Sequence, residues 1–446
     1  MKNSHHQVLI IGGGTGGIMI AAQLQGKSKK KLDIAIIEPS KTHAYQPAWT
    51  LVGAGLMKMD QTIKKEEKLI PKGSHWIQGS VKDIDPEKNL VKLDDNQEIT
   101  YDFLVVAPGI QMNLDGIKGL KESLGKNGVC SNYVDPEYTN EVLKNFKGGN
   151  ALFTQPSTPI KCPGAPQKIM YLAAEMFEEK GLRDFTNVIF ATPGTVIFGV
   201  QPFKDELERY LVKYNVKQRY GYKLVEIDGE KKEAYYERLE LPKGKNYIVN
   251  DERNAAGCTG FINDGDVRRE VQEVNSTFQM EKKGTRYTIA FDMLHLAPPQ
   301  SAPTWFQTTK LANAEGPNKG WMAVDMHSLQ SRFYPNVFGV GDVTDAPTAR
   351  TGAAIRKQAP VVVNNILQLM EGKAADCTEY NGYSSCPLVV SRNKMLLAEF
   401  GYDGVRMSDP MLKSVFNLGK ASYPMWLLKR HGLPFLYWNM MLKGKM

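Results

Sequence analysis

Cysteine is scarce in this 446-residue chain, with five residues and no pair in C-x-x-C spacing. That excludes a disulfide-stapled secreted scaffold and leaves no zinc-ligand spacing, so no metal site is expected. Any cysteine chemistry must bring together residues far apart in sequence. No stretch approaches the roughly 18 consecutive apolar residues of a membrane span. No zinc-finger spacing, RNA-binding signature or long basic tract accompanies the surplus of 56 Lys and Arg over 48 Asp and Glu. Nucleic acid is therefore not an expected partner, and the net charge of +8 suits anionic lipid headgroups or an anionic substrate. The runs Lys29-Lys30-Lys31 and Lys64-Lys65 read as solvated surface. Neither a basic n-region with an apolar core nor an Arg-rich leader precedes the first strand. The expected location is thus the cytoplasmic side, unless a leader has been removed. No repeat of solenoid period is present.

What is present starts almost at residue 1. QVLII, then GGGTGG, a helix-like IMIAAQLQG and the strand DIAIIE form a βαβ unit. Gly12, Gly14 and Gly17 make G-x-G-x-x-G, with Gly13 and Gly16 between them, and Glu38 closes the second strand. In this motif the first glycine permits the tight turn, the second lets backbone approach a pyrophosphate, and the third lets helix and strand pack closely. The helix N-terminus offers free amides to the phosphates, and Glu38 is placed to accept from ribose hydroxyls. LVVAPG, ending at Gly109, resembles the strand-and-turn that returns the chain to the cofactor in flavoproteins. NVFGVGD, with Gly341 and Asp342, resembles their second fingerprint, in which the aspartate binds the ribityl chain. The expected cofactor is FAD.

The expected fold is α/β, with two Rossmann-like dinucleotide-binding domains plus a C-terminal membrane-docking segment. Its expected parts are 1–115 (first part of the FAD-binding domain), 116–290 (second Rossmann-like domain with a polar insert near 240–285), 291–364 (second part of the FAD-binding domain) and 365–446 (C-terminal domain). The second unit offers CPGAPQK and ATPGTVIFG where a nicotinamide-binding domain would carry its own glycine triplet.

Cys162 sits just before a helical pattern, between Lys161 and Lys168. Cationic neighbours and a helix N-terminus lower a thiol's pKa and favour thiolate. Cys386 lies where a polar turn enters an apolar strand. The competing reading for either is a small buried apolar side chain, which is the reading kept for Cys130, Cys258 and Cys377. His43, Tyr45 and Gln46 follow Glu38 in a loop that edges the cofactor, with His43 alone read as structural, as is His295. Lys357, in the helix after Asp342, is a candidate stabiliser of negative charge on reduced flavin or quinone, against the plain reading of a surface lysine.

Together, IGGGTGGI, HAYQPAWTLVGAG, KCPGAPQKIMYL, YPNVFGVGD, YSSCPLV and PFLYWNMML resemble the sulfide:quinone oxidoreductase family, closest to the branch of the mitochondrial enzyme and its bacterial relatives. The chain departs from that pattern in a longer, more charged stretch from about 240 to 285 and in GDVTD in place of a GDCT-type sequence. The resemblance implies that Cys162 and Cys386 are the redox pair, with Cys162 facing the flavin and Cys386 carrying a persulfide. It implies hydrogen sulfide as substrate, a sulfur acceptor (sulfide, sulfite or a thiol), and ubiquinone or menaquinone as electron acceptor. A quinone dissolved in the bilayer requires docking on the membrane surface. In SYPMWLLKRHGLPFLYWNMMLKGKM, Trp426, Leu427, Leu428, Phe435, Leu436, Tyr437, Trp438 and Met440 alternate with Lys429, Arg430, Lys443 and Lys445. That is the composition of an interfacial segment, predicted as two short helices parted by Pro434. The protein is then monotopic, on the cytoplasmic face of the cell membrane or the matrix face of the mitochondrial inner membrane. Two other readings compete: an NAD(P)H-dependent FAD dehydrogenase of the type II NADH:quinone class, and a flavin or sulfur carrier without turnover. A periplasmic flavocytochrome-type sulfide dehydrogenase is disfavoured by the absent signal peptide and the apolar tail.

Overall fold

The computed structural model describes residues 4–239, 281–283, 286–374, 378–408, 413–414 and 416–446. The insert expected over 240–285 lies outside these residues apart from 281–283, as do Cys258 and Cys377.

Strand β1 (Ser4–Ile11) is apolar without alternation from Val8 to Ile11, and all four of those side chains are buried. A strand covered on both faces reads this way. It leads into α1 (Thr15–Lys27), then β2 (Ile34–Ile37), β3 (Ser74–Ile77), β4 (Val81–Asp85), β5 (Leu90–Leu93) and β6 (Glu98–Val106). Among the described residues the sheet order is β3-β2-β1-β6-β5-β4, with β3, β2, β1 and β6 parallel. Two glycines set the turn between β1 and α1. Gly12 has φ +102°, and a Cβ there would stand 2.3 Å from the Ala107 carbonyl oxygen. A Cβ on Gly17 would stand 1.9 Å from the Gly12 carbonyl oxygen, so only glycine lets the helix lie against the loop.

A second parallel sheet is built from β7 (Val129–Cys130), β8 (Gly149–Thr154), β9 (Thr186–Thr192) and β10 (Lys217–Tyr220). Helix α2 (Ala165–Glu179) crosses between β8 and β9, and α3 (Phe203–Lys213) between β9 and β10. An antiparallel layer of β11 (Tyr222–Asp228), β12 (Glu233–Arg238), β13 (Glu281–Lys283) and β14 (Arg286–Ala290) follows. The sequence predicts that the flavin-binding unit resumes at 291. Strand β15 (Met293–Leu296) instead pairs with β7 and β8 in the second sheet, and the first sheet regains the chain at β16 (Val337–Gly339), parallel to β6. A short, fully buried strand suits the centre of any parallel sheet, so its pattern carries no address. Helix α4 (Gly352–Met370) then packs along α1. The hairpin β17 (Ser384–Ser391) and β18 (Lys394–Phe400) lies against α2. The α/β class with two Rossmann-like sheets holds.

The C-terminal segment is one helical run rather than two helices. α-Helical turns at Tyr423–Leu427 pass through a π turn at Leu428–Gly432 into Leu433–Asn439. Pro434 lacks an amide and its ring would clash in a regular α turn; the wider turn just before it absorbs the mismatch. Met425, Trp426, Lys429, Tyr437 and Trp438 face inward and are buried, whereas Tyr423, Leu427 and Phe435 are exposed. No helix among the described residues is long and apolar enough to cross a membrane.

Candidate functional site

The βαβ loop is built for a dinucleotide. A Cβ added at Gly14, the residue capping α1, would meet nothing within 4 Å, so the first turn faces open space. Gly13 N–H donates to Glu38 Oε2 at 2.8 Å and Ser40 N–H to Glu38 Oε1 at 2.8 Å, fixing the carboxylate at the loop's edge. Burial pushes the Glu38 carboxyl up, and the two amides pull against that shift. Glu66 is buried beside Gly13, and its Oε1 has no hydrogen-bond partner among the described residues. An acceptor buried without a donor fits a ribose hydroxyl of a bound dinucleotide. Gly16 packs against Val340, and Gly109 adopts φ +72° in the return turn after β6. The second fingerprint brings Gly341 and Asp342 together with Arg350, Thr351 and Gln358 around a narrow crevice in front of α4. Gly341 N–H donates to Gln358 Oε1 at 2.9 Å. Burial raises the Asp342 carboxyl, opposed by the charges of Lys161 and Arg350. The open loop, the anchored acid and the orphaned oxygen fit FAD.

Cys162 and Cys386, 224 positions apart by their numbers (386 − 162), lie side by side, and each is the first influence on the other's ionisation. Cys162 lies on the loop before α2 with φ +47°, a conformation disfavoured for any residue with a Cβ. Three bonds hold it there: its own N–H to the Arg350 carbonyl at 2.7 Å, the Tyr133 hydroxyl to its carbonyl at 3.1 Å, and Ala165 N–H to the same carbonyl at 2.8 Å. Gly164 lies over Cys386, a Cβ there reaching 3.9 Å from the sulfur and 2.5 Å from Leu388. Cys386 is wholly buried on β17.

Two buried lysines converge on this pair. Lys168, one and a half turns into the segment after Cys162, donates from Nζ to Cys162 Sγ at 3.0 Å. Lys429, from the π turn, donates to the Pro47 carbonyl at 2.8 Å. The Cys162 thiol is held well below the ordinary range by the hydrogen bond from Cys386, then by the charge and hydrogen bond of Lys168 and the charge of Lys429, against burial. Cys386 is pushed up by its bond to Cys162, by burial and by the Cys162 charge. The pair is therefore a thiolate accepting from a thiol. Burial, and then the neighbouring Lys168 charge, lower Lys429 to about 7.

Arg350 ties the sulfur site to the second fingerprint. Its guanidinium donates to the carbonyls of Asp342 at 2.8 Å and Thr344 at 3.1 Å and stacks 4.0 Å from the Trp321 ring, while its own carbonyl anchors Cys162. Lys161 instead donates to Gln46 Oε1.

His43 joins the C-terminal helix to the dinucleotide loop. Its Nδ1 is 3.2 Å from the Gly13 carbonyl, which only accepts, so Nδ1 carries the proton and Nε2 accepts from the Tyr437 hydroxyl at 2.5 Å. Thr15 Oγ1 is 2.8 Å from the same hydroxyl, Glu66 Oε2 lies 3.4 Å from His43 Nδ1, and the Tyr45 ring packs 4.5 Å from that of Tyr437. Removing the Tyr437 hydroxyl leaves a buried ring nitrogen and Thr15 unpaired. Tyr437→Phe is expected to lower stability by about 1–3 kcal/mol and to speed cofactor loss during gel filtration. An unchanged melting temperature and full retention of cofactor would contradict this.

Lys357 is exposed, with Nζ 5.7 Å from the Tyr383 ring. His295 accepts from Asn132 N–H at 3.0 Å, and burial lowers it to about 3, a structural role as read from the sequence. Lys429, Glu66, Tyr133 and Arg350 escaped sequence reasoning. For Lys429 the signal exists: it stands three and four residues after Trp426 and Met425, on the face those apolar residues bury.

Residues 6–140 match the family described as pyridine nucleotide-disulphide oxidoreductase. The chain is 37% identical over 443 residues to the mitochondrial sulfide:quinone oxidoreductase of Mus musculus, covering 99% of this chain and 87% of that protein. It is 38% identical over 442 residues to the mitochondrial sulfide:quinone oxidoreductase of Dictyostelium discoideum, covering 98% and 86%. Among solved structures, the sulfide:quinone oxidoreductase of Aquifex aeolicus matches with TM-score 0.73 and 18% identity, covering 99% of this chain and 92% of that one. A chain of the Tetrahymena thermophila mitochondrial ATP synthase matches with TM-score 0.77 and 18% identity, covering 99% and 97%. At that identity the two structures speak for the fold alone.

Proposed function

The chain belongs to the sulfide:quinone oxidoreductase family, FAD-binding enzymes that oxidise sulfide and reduce quinone, and we propose that Cys162 and Cys386 are the residues through which its sulfide is oxidised. The observation that carries this reading is the thiolate–thiol pair beside Lys168 and Lys429.

In the oxidised enzyme the two sulfurs form a disulfide. Hydrosulfide attacks the Cys386 sulfur and the S–S bond breaks. Cys162 departs as a thiolate, while Cys386 keeps the added sulfur as a persulfide. The direction follows from the electrostatics: the better leaving group is the sulfur whose anion is stabilised, and that is Cys162. A nucleophilic acceptor then takes the outer sulfur and leaves Cys386 as a thiolate. Closing the disulfide again releases two electrons. FAD, when bound, accepts those two electrons and delivers them to quinone. The lysine pair draws anionic hydrosulfide inward and favours an anionic acceptor such as sulfite, hydrosulfide or a thiolate. Asp342, Glu38 and the Gly12–Gly17 loop would hold FAD, and Arg350 keeps the Cys162 loop in register with the Asp342 loop. Family membership replaces the nicotinamide-dehydrogenase and carrier readings.

The Mus musculus and Dictyostelium discoideum relatives are named as mitochondrial. The proposed membrane contact is the outer face of the C-terminal helix, where Tyr423, Leu427 and Phe435 are 54%, 41% and 62% exposed at spacings of four and eight residues. The inner face belongs to the protein core, so docking uses only Leu427 and Phe435 of the eight apolar residues the sequence offered, together with Tyr423.

The test is anaerobic titration of the yellow protein with sulfide, followed by a short-chain quinone. Flavin bleaching by sulfide and recovery on quinone addition are expected. A spectrum that ignores sulfide but is bleached by NADH would overturn the reading.

A further inference from the structure

Away from the cysteines, a groove of about 600 Å³ runs between α3, the turn of the β17–β18 hairpin and the loop leading into the C-terminal helix. That volume lies in the range of ligand-sized sites. Four cations line it: Arg209, Lys213, Lys394 and Lys420. Its two acids are already engaged. Glu206 accepts from Ala421 N–H at 3.0 Å and pairs with Lys420 at 3.3 Å, and Glu175 accepts from Arg392 N–H. Lys394 is exposed and forms no ion pair among the described residues, and Lys213 lies over the Tyr214 ring, 4.5 Å from its centroid. The groove therefore presents net positive charge.

Its position gives that charge an occupant. The hairpin is bonded to the start of the C-terminal helix, Met395 N–H to the Ser422 carbonyl at 3.2 Å and Ser422 N–H to the Met395 carbonyl at 3.0 Å. Ala421 lines the groove, and Tyr423, two residues on, opens the exposed apolar stripe. A cationic hollow at one end of an apolar stripe is the arrangement in which side chains enter the acyl boundary while cations meet headgroups.

We infer that this groove seats the phosphate of an anionic phospholipid when the C-terminal helix lies on a bilayer, making membrane docking selective for anionic lipid. The inference rests on the docking reading given above. Its test is sedimentation of the FAD-loaded protein with vesicles of phosphatidylcholine alone or with phosphatidylglycerol. The wild type is expected to bind the anionic vesicles about twenty-five-fold more tightly, since Lys213 and Lys394 each contribute about fivefold near such a surface. The double variant Lys213→Glu, Lys394→Glu and the single variant Lys394→Glu are expected to lose most of that preference. Both should keep binding to neutral vesicles and activity with a short-chain quinone. Phe435→Ser should weaken binding to both vesicle types alike. A charge-reversed protein that keeps the full preference, or a wild type without one, overturns the groove as a headgroup site. Inorganic phosphate that raises the melting temperature as much as the lipid does would make it a soluble-anion site instead, and also overturns the inference. A wild type that binds neither vesicle fails at the earlier docking step, a result distinct from the others.

Discussion

Cys162→Ser is expected to abolish sulfide-driven bleaching of the flavin, with turnover falling by at least about a thousandfold, the loss typical when a covalent nucleophile is removed. The hydroxyl cannot form a disulfide with Cys386, and it cannot leave as a stable anion at neutral pH. Lys168 would still donate to the oxygen, so the fold has no cause to change. The spectrum offers an independent reading. The family resemblance assigns the flavin-facing role to Cys162; a thiolate in that role would give a long-wavelength absorbance shoulder with bound FAD, and the serine variant should lack it at every pH. Cys386→Ser should also halt turnover while keeping the anionic partner at Cys162, so the shoulder should survive there. Bleaching of Cys162→Ser by sulfide at the wild-type rate would remove Cys162 from the reaction.

The parts of the site legible in the sequence were those whose chemistry depends on near neighbours. The glycine loop, its helix and Glu38 lie within one βαβ unit, so spacing alone predicts their arrangement. The thiolate character of Cys162 was legible for the same reason, because Lys168 stands six positions on in the first turn of the helix that follows it. Cys386 was marked locally only by a polar turn running into an apolar strand, and its pairing with Cys162 entered through resemblance. What could not be read were encounters across the fold. Lys429 looked like one of several cations set for lipid headgroups, and the π turn that accommodates Pro434 presents it to the sulfurs instead. His43 looked structural because its partner, Tyr437, is 394 residues away. The same contact shows why the tail cannot be read as a detachable anchor: its inner face binds the glycine loop through His43, and its outer face is the one proposed for membrane contact.

The site thus draws on a loop near residue 45, the Cys162 loop with α2, the Asp342–Thr351 segment, β17 and the C-terminal helix. Burying two lysines together is unfavourable unless anions join them. A site with two close ammonium groups and one thiolate has capacity for a further anion. That suits hydrosulfide in the first half-reaction and an anionic acceptor in the second.

Lys168→Met should produce the second largest effect, and its pH dependence separates an electrostatic role from a packing one. In the wild type the Cys162 thiolate persists to acid pH because Cys386, Lys168 and Lys429 stabilise it. Without Lys168 the thiol gains its proton at higher pH, so the acid limb of the rate profile moves upward. At about pH 6 the variant should be slower by at least about tenfold, as expected when a charge in contact with a thiolate is removed. The deficit should narrow as pH rises and the thiolate forms unaided. Lys429→Met should behave differently. Its ammonium is charged below about 7 and neutral above, so its removal should slow the enzyme below that pH and matter little at about pH 8.5. Both profiles are read from the rate of flavin bleaching by sulfide under anaerobic conditions, with thermal melts to confirm folding. A deficit in Lys168→Met that stays constant from acid to alkaline pH would mean the lysine only fills space, and the thiolate would need another source.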